Sequence, residues 1–101
     1  MDEHVVWSPE AVEDLEAIAE FIGRDSAFYA SSVVTKVLAV SRSLTEAPLI
    51  GRIVPELENN QIRERFIYSY RLIYRIRDDD ILVVAIIHGK RLIEGVTDRF
   101  G

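Results

Sequence analysis

Residues 81–87, ILVVAII, are apolar without a break. Successive side chains of a strand point to opposite faces, so a strand of this composition needs cover on both sides. The chain must therefore build a layered fold around this segment. The preceding run, YRLIYRIR at 70–77, alternates instead. Leu72, Tyr74 and Ile76 point one way; Arg71, Ile73, Arg75 and Arg77 point the other. Asp78-Asp79-Asp80 between the two runs reads as a turn, because aspartate tolerates turn conformations and blocks strand continuation. Residues 62–68, IRERFIY, supply a further strand. Strands joined by such short connections pair antiparallel.

The first half of the chain is helical. Ser8-Pro9-Glu10 is a helix start: a hydroxyl to cap free N–H groups, a proline at the first turn and an acid at the positive end of the dipole. Ala11, Leu15, Ile18, Ala19 and Ile22 follow at spacings of three and four, with Glu13, Asp14, Glu16 and Glu20 between them. This predicts an amphipathic helix with an acidic outer face, stopped near Gly23. Asp25-Ser26 starts a second helix, and Ala30, Val33, Val34, Val37, Leu38, Ser41 and Leu44 continue the period towards Pro48. The few residues between the helices imply an antiparallel helical hairpin. Residues 4–7 form a short β-prone run, with Trp7 as packing, and residues 48–61 read as a connecting loop.

The expected fold is α+β, in the order β-α-α-β-β-β: an N-terminal strand and an antiparallel helical hairpin packed on one face of an antiparallel sheet. Its 101 residues make a single domain, with 92–101 as a C-terminal tail. One helix pair covers only one sheet face. The other must be covered by 92–101 or by a second chain.

Composition narrows the function. No cysteine is present, which excludes disulfides, thiolate metal sites and a cysteine nucleophile. No cofactor or metal is implied; three adjacent aspartates on a tight turn diverge rather than converge on an ion. No run reaches a membrane span, and MDEHVVW is unlike a signal peptide, so a cytoplasmic protein with no membrane partner is expected. The net charge of −5 argues against a general nucleic-acid binder. Charge is uneven, however. Residues 1–50 carry three basic residues against nine acids, whereas residues 61–77 carry five arginines and one acid. A focused anion site therefore stays open.

Trp7-Ser8-Pro9 with Asp14-Leu15, Pro48 with Gly51-Arg52, Pro55-Glu56, Ile62-Arg63, Tyr70-Arg71-Leu72-Ile73-Tyr74 and His88-Gly89-Lys90-Arg91 occur in an order that resembles the RelE/ParE superfamily of type II toxin–antitoxin modules. The resemblance spans residues 5–92 and implies the same helical hairpin on an antiparallel sheet. RelE-like members cleave mRNA on the ribosome; ParE-like members inhibit DNA gyrase. Arg71 and Arg91 fall at superfamily arginines. The lysines of RelE-like enzymes would fall near Ile62 and Glu64, and their C-terminal tyrosine near Thr97; neither is present. The Gly51-Arg52…Pro55-Glu56 loop and the His88-Gly89-Lys90-Arg91 ending look more like ParE.

This likeness implies a toxin that binds gyrase and is neutralised by a cognate antitoxin in a hetero-oligomer, meeting DNA only through that antitoxin. Arg71, Ile73, Arg75 and Arg77 are then the expected antitoxin-binding face, and Lys90 and Arg91 the target-binding residues. The bland alternative for the arginines is a solvated sheet face. An RNA-cleaving alternative places Arg71 and Arg91 on the phosphate, with His88 as acid/base, since arginine stays protonated and is a poor base. A third reading is a non-toxic relative acting only in an autoregulatory complex.

Overall fold

Ser8 starts the first helix in the expected way. Its hydroxyl accepts a hydrogen bond from Ala11 N at 3.0 Å, and α1 runs from Pro9 to Gly23. Ser26 repeats the device, accepting from Tyr29 N at 3.0 Å to open α2, Ala27–Ser43. The computed structural model describes residues 4–89 and 93–100. The strands are β1 (His4–Trp7), β2 (Arg52–Ile53), β3 (Ile62–Ile67), β4 (Tyr70–Ile76) and β5 (Asp80–His88), and a 3₁₀ segment covers Ile93–Phe100.

The sheet order is β1-β5-β4-β3-β2. Strands β2 to β5 pair antiparallel as neighbours, as the short connections require. β1 joins in parallel, pairing His4–Trp7 with Asp80–Val83. β5 is thus central, with β4 on one side and β1 on the other. β2 is an addition to the expected loop: within 48–61, Arg52 and Ile53 pair with Glu64 and Arg63 and extend the sheet.

Both faces of β5 are covered, as its composition demands. On one, Ala11, Val33, Val37 and Leu44 of the helical hairpin and its exit pack against Ile67, Leu72, Tyr74, Ile81, Val83 and Ile86. On the other, Ile62, Ile73, Ala85 and Ile87 are covered by Val54 and Leu57 from the loop and by Val96 and Phe100 from the C-terminal segment. The chain therefore supplies cover of its own for the second face. Among the described residues no helix is long and apolar enough to cross a membrane.

One irregularity matters for the site. Along β4, Ile73 faces Ala85 but Tyr74 faces Val83, so Val84 is an extra residue in β5. This bulge switches the facing side chains, from Ile81 and Val83 before it to Ile86 after it. β1 ends at Trp7, and side chains take over along that edge. Ser8 Oγ donates to Val84 O at 3.3 Å, Arg99 Nη1 donates to Val84 O at 3.2 Å, and Ile86 N donates to Asp14 Oδ2 at 3.0 Å.

Candidate functional site

Opposed residues of antiparallel strands share a face. Glu64 of β3 pairs with Ile73 of β4, and so lies on the face of Arg71, away from the helices. Its carboxylate is fully buried, yet it is matched. Arg71 Nε donates to Glu64 Oε1 at 2.7 Å, and Arg52 Nε donates to Glu64 Oε2 at 2.5 Å. Arg71 also reaches Glu56 with two parallel bonds, Nη1 to Oε2 at 3.1 Å and Nη2 to Oε1 at 3.0 Å. Two guanidiniums and two carboxylates thus form one balanced network that straps the 54–58 loop to the sheet.

Burial opposes the Arg71 charge, but hydrogen bonds to Glu56 and Glu64 outweigh it and raise its pKa further. The bidentate bond from Arg71 holds Glu56 below the usual carboxylate range. A fork-on-carboxylate geometry is among the strongest polar contacts available to a protein, and Arg71 has spent its donors on it. Only 4% of Arg71 is exposed, and Ile73 is fully buried.

Of the residues expected on the antitoxin face, Arg71, Ile73, Arg75 and Arg77 do alternate, but Arg71 and Ile73 are interior. Arg75 is half-buried and its guanidinium bonds Phe100 O, holding the C-terminal segment. Arg77 is exposed at the hairpin end and pairs with Asp80, Nε to Oδ1 at 2.5 Å and Nη2 to Oδ2 at 2.7 Å. Asp80 is the first residue of β5 rather than the last of the turn. The four residues therefore do not present one open face.

Of the RNA-cleaving set, His88 and Arg71 leave opposite faces of the sheet. His88 faces Tyr70 across the strands and meets its ring edge-on at 5.7 Å. Tyr70 packs against the helix-side core, so His88 lies on the helix side, whereas Arg71 lies on the opposite face. Lys90 and Arg91 lie outside the described residues.

Several site residues were not singled out in the sequence. Glu64 is a buried acid within a strand otherwise rich in arginine. Register alone could have found it, since Glu64 falls on the same alternation as Ile62. The sequence groups Asp14 with the acidic outer face of α1, but it points at the sheet edge. There it pairs with Arg99 Nη1 at 2.7 Å as well as accepting Ile86 N. Tyr74 Oη donates to Pro48 O at 2.7 Å and accepts Gly51 N at 3.0 Å, tying the loop before β2 to the core. Burial pushes the Tyr74 hydroxyl pKa up.

Residues 5–93 match the family model described as ParE toxin of type II toxin-antitoxin system, parDE. The chain belongs to this ParE toxin family. The ParE-family chain is also 33% identical over 89 residues to Toxin RelE2 of Caulobacter vibrioides (strain ATCC 19089 / CIP 103742 / CB 15), covering 87% of this chain and 97% of that relative. Its fold is similar to that of the chromosomal ParDE system from P. aeruginosa, with a TM-score of 0.70 at 18% identity over 85% of this chain and 95% of the other. The toxin–antitoxin complex RelBE2 from Mycobacterium tuberculosis gives a TM-score of 0.58 at 22% identity over 87% and 99%. In this ParE-family chain Arg71 is neutralised from within, by Glu64 and Glu56.

Proposed function

We propose that this ParE-family toxin acts by binding DNA gyrase and is neutralised by a cognate antitoxin in a hetero-oligomer in the cytoplasm. The observation that carries this reading is the saturation of Arg71 by Glu64 and Glu56. RNA cleavage by 2′-hydroxyl attack needs a cation free to meet the developing phosphorane and an acid/base group beside it. Here the superfamily arginine is occupied, and His88 leaves the opposite side of the sheet. The described residues favour a binding protein over a nuclease. Lys90 and Arg91, which follow Gly89 in the sequence, are the residues to which we assign the target contact.

The test is a pair of assays on the purified chain. Inhibition of gyrase supercoiling, lost in Lys90→Ala/Arg91→Ala and with no mRNA cleavage in a translating extract, is the expected result. Cleavage of mRNA with gyrase untouched would overturn the reading in favour of a ribosome-dependent endonuclease. Normal growth on induction, with both assays silent, would leave a non-toxic member of an autoregulatory complex.

A further inference from the structure

Aromatic rings from both helices, the β3–β4 turn and β4 meet at one end of the molecule. Phe21 stands in the last turn of α1, Tyr29 in the first turn of α2, Tyr68 in the turn between β3 and β4, and Tyr70 at the start of β4. They line one cavity of about 320 Å³, completed by His88 at the end of β5 and by Asp25 in the connection between the helices. Tyr68 and Tyr29 stand 6.4 Å apart with their planes at 49°, and Tyr70 meets His88 edge-on. Phe21, Tyr29 and Tyr68 are 66%, 50% and 58% exposed, and all three stand outside both core clusters.

One of these rings is held against its own conformational preference. The turn between β3 and β4 is Tyr68-Ser69, and Tyr68 takes φ 54°. Glycine or asparagine suits such a position, whereas a bulky ring at positive φ is strained. Strain kept on an exposed side chain points to use rather than to stability. The charge of the cavity selects what uses it. Asp25 is exposed, and among the described residues its carboxylate has no hydrogen-bond or ion-pair partner. Its neighbour Arg24 is taken by Glu20 at 3.4 Å. Among the described residues no lysine or arginine lines the cavity, and Lys36 belongs to a separate groove that shares Tyr68. The C-terminal end of α1 and the N-terminal end of α2 lie side by side, so their partial charges oppose one another and Asp25 sets the sign.

We infer that this cavity binds a small quaternary ammonium ion, its methylated nitrogen among Phe21, Tyr29, Tyr68 and Tyr70 and its charge facing Asp25. Aromatic faces carry negative potential and attract a weakly hydrated cation, and a carboxylate beside them adds to the attraction. A primary ammonium has three N–H donors to satisfy. Here Asp25 is the one carboxylate, and the Ser26 hydroxyl already accepts from Tyr29 N. A methylated nitrogen has no donor to satisfy and fits apolar walls better. An anionic ligand would meet Asp25 with no lining lysine or arginine to offset it. The cavity lies on the helix side of the sheet, away from the Arg71 network, so the inference goes beyond the toxin reading and does not depend on its target.

The experiment is a chemical-shift titration of the full, isotopically labelled chain with tetramethylammonium and with choline. Resonances of Asp25, Tyr29 and Tyr68 should move saturably, with a Kd of about 1 mM or tighter. Sodium chloride at matched ionic strength should give no saturation, and the neutral carbon isostere of choline should bind at least about tenfold more weakly than choline. Asp25→Asn keeps the shape and removes the charge, and should weaken binding about tenfold. Tyr68→Gly suits the left-handed backbone, so it should melt near wild type while binding at least about tenfold more weakly. Phe28→Ala, exposed on α2 outside the cavity, should leave binding unchanged. Equal affinity for choline and its neutral isostere makes the cavity a plain apolar pocket and overturns the inference. Binding that survives both Asp25→Asn and Tyr68→Gly places the cation elsewhere and overturns it too. Association with phosphatidylcholine vesicles without binding of free choline makes this end a lipid contact, which also overturns it, as does the absence of any shift with either cation. None of these results touches the toxin reading.

Discussion

Glu64 and Arg71 meet inside the protein, with Arg71 Nη2 2.6 Å from Glu64 Oε1 and each side chain 5% exposed or less. Neither would be stable in that place alone. Breaking a buried pair by removing one member costs about 3–5 kcal/mol, because the other charge stays buried and unmatched. Arg71→Ala should therefore lower the melting temperature by roughly 10 °C or more in a domain of this size. Replacing both residues by apolar ones of similar volume, as in Arg71→Met/Glu64→Met, should cost less than either single change. A double-mutant cycle by urea denaturation reads the coupling directly.

Glu56 gives the network a pH dependence. Its folded-state pKa is depressed, first by the hydrogen bond from Arg71. Its contribution is therefore present above its unfolded pKa and is lost as pH falls through the lower folded value. The side chain is about a third exposed, at 35%, so solvent screening keeps the effect modest. Urea melts from neutral pH into the acid range should show the wild type losing an increment that Glu56→Gln never has. Equal acid slopes would refute the assignment.

Asp14 joins three elements: α1 on which it sits, the β5 edge through Ile86 N, and the C-terminal segment through Arg99. Asp14→Ala leaves a backbone N–H and a half-buried guanidinium without their acceptor, at a cost of about 1–3 kcal/mol. Hydrogen exchange should show the Ile86 amide losing protection, together with faster proteolysis within 93–100. Glu13→Ala, one residue away on the exposed face, should change neither.

Gly51 is required by a close approach. A Cβ there would sit 2.6 Å from the Tyr74 hydroxyl and 2.7 Å from Glu64 O. The second neighbour is β3 backbone, which cannot step aside without disturbing the sheet. Gly51→Ala should cost about 1–3 kcal/mol through overpacking. Tyr74→Phe should cost about 1–3 kcal/mol for a different reason, since Gly51 N and Pro48 O each lose a partner. Thermal melts of the double variant should show less than the sum of the two, because removing the hydroxyl also makes room for the added methyl.

Much of the architecture is legible in local sequence signals. The serines that open both helices, the helix period of Leu15, Ile18 and Ile22, and the alternation of Leu72, Tyr74 and Ile76 are local signals, and each element lies where they place it. The demand of ILVVAII for cover on both faces was equally plain. The register within that segment was not. Every residue from 81 to 87 is apolar, so inserting Val84 as a bulge changes which side chains face the helices without disturbing the pattern. What covers the second face could not be read either, because Val54, Leu57, Val96 and Phe100 come from segments with no period.

The same limit governs the arginines. Alternation puts Arg71 and Arg75 on one face of β4, with Arg77 just past its end, but alternation carries no information about what lies opposite. Pairing placed Glu64 beside Arg71, the 54–58 loop brought Glu56 over both, and the C-terminal segment brought Phe100 O to Arg75. These contacts join residues 7 to 25 positions apart. Local periodicity marked the two helices and the long strands and, outside the bulged β5, the side to which most of their residues turn, through the geometry of single strands and helices. Only the tertiary structure decided which charges are matched from within and which remain open to a partner, because a charge is neutralised by whatever the fold brings within hydrogen-bonding distance.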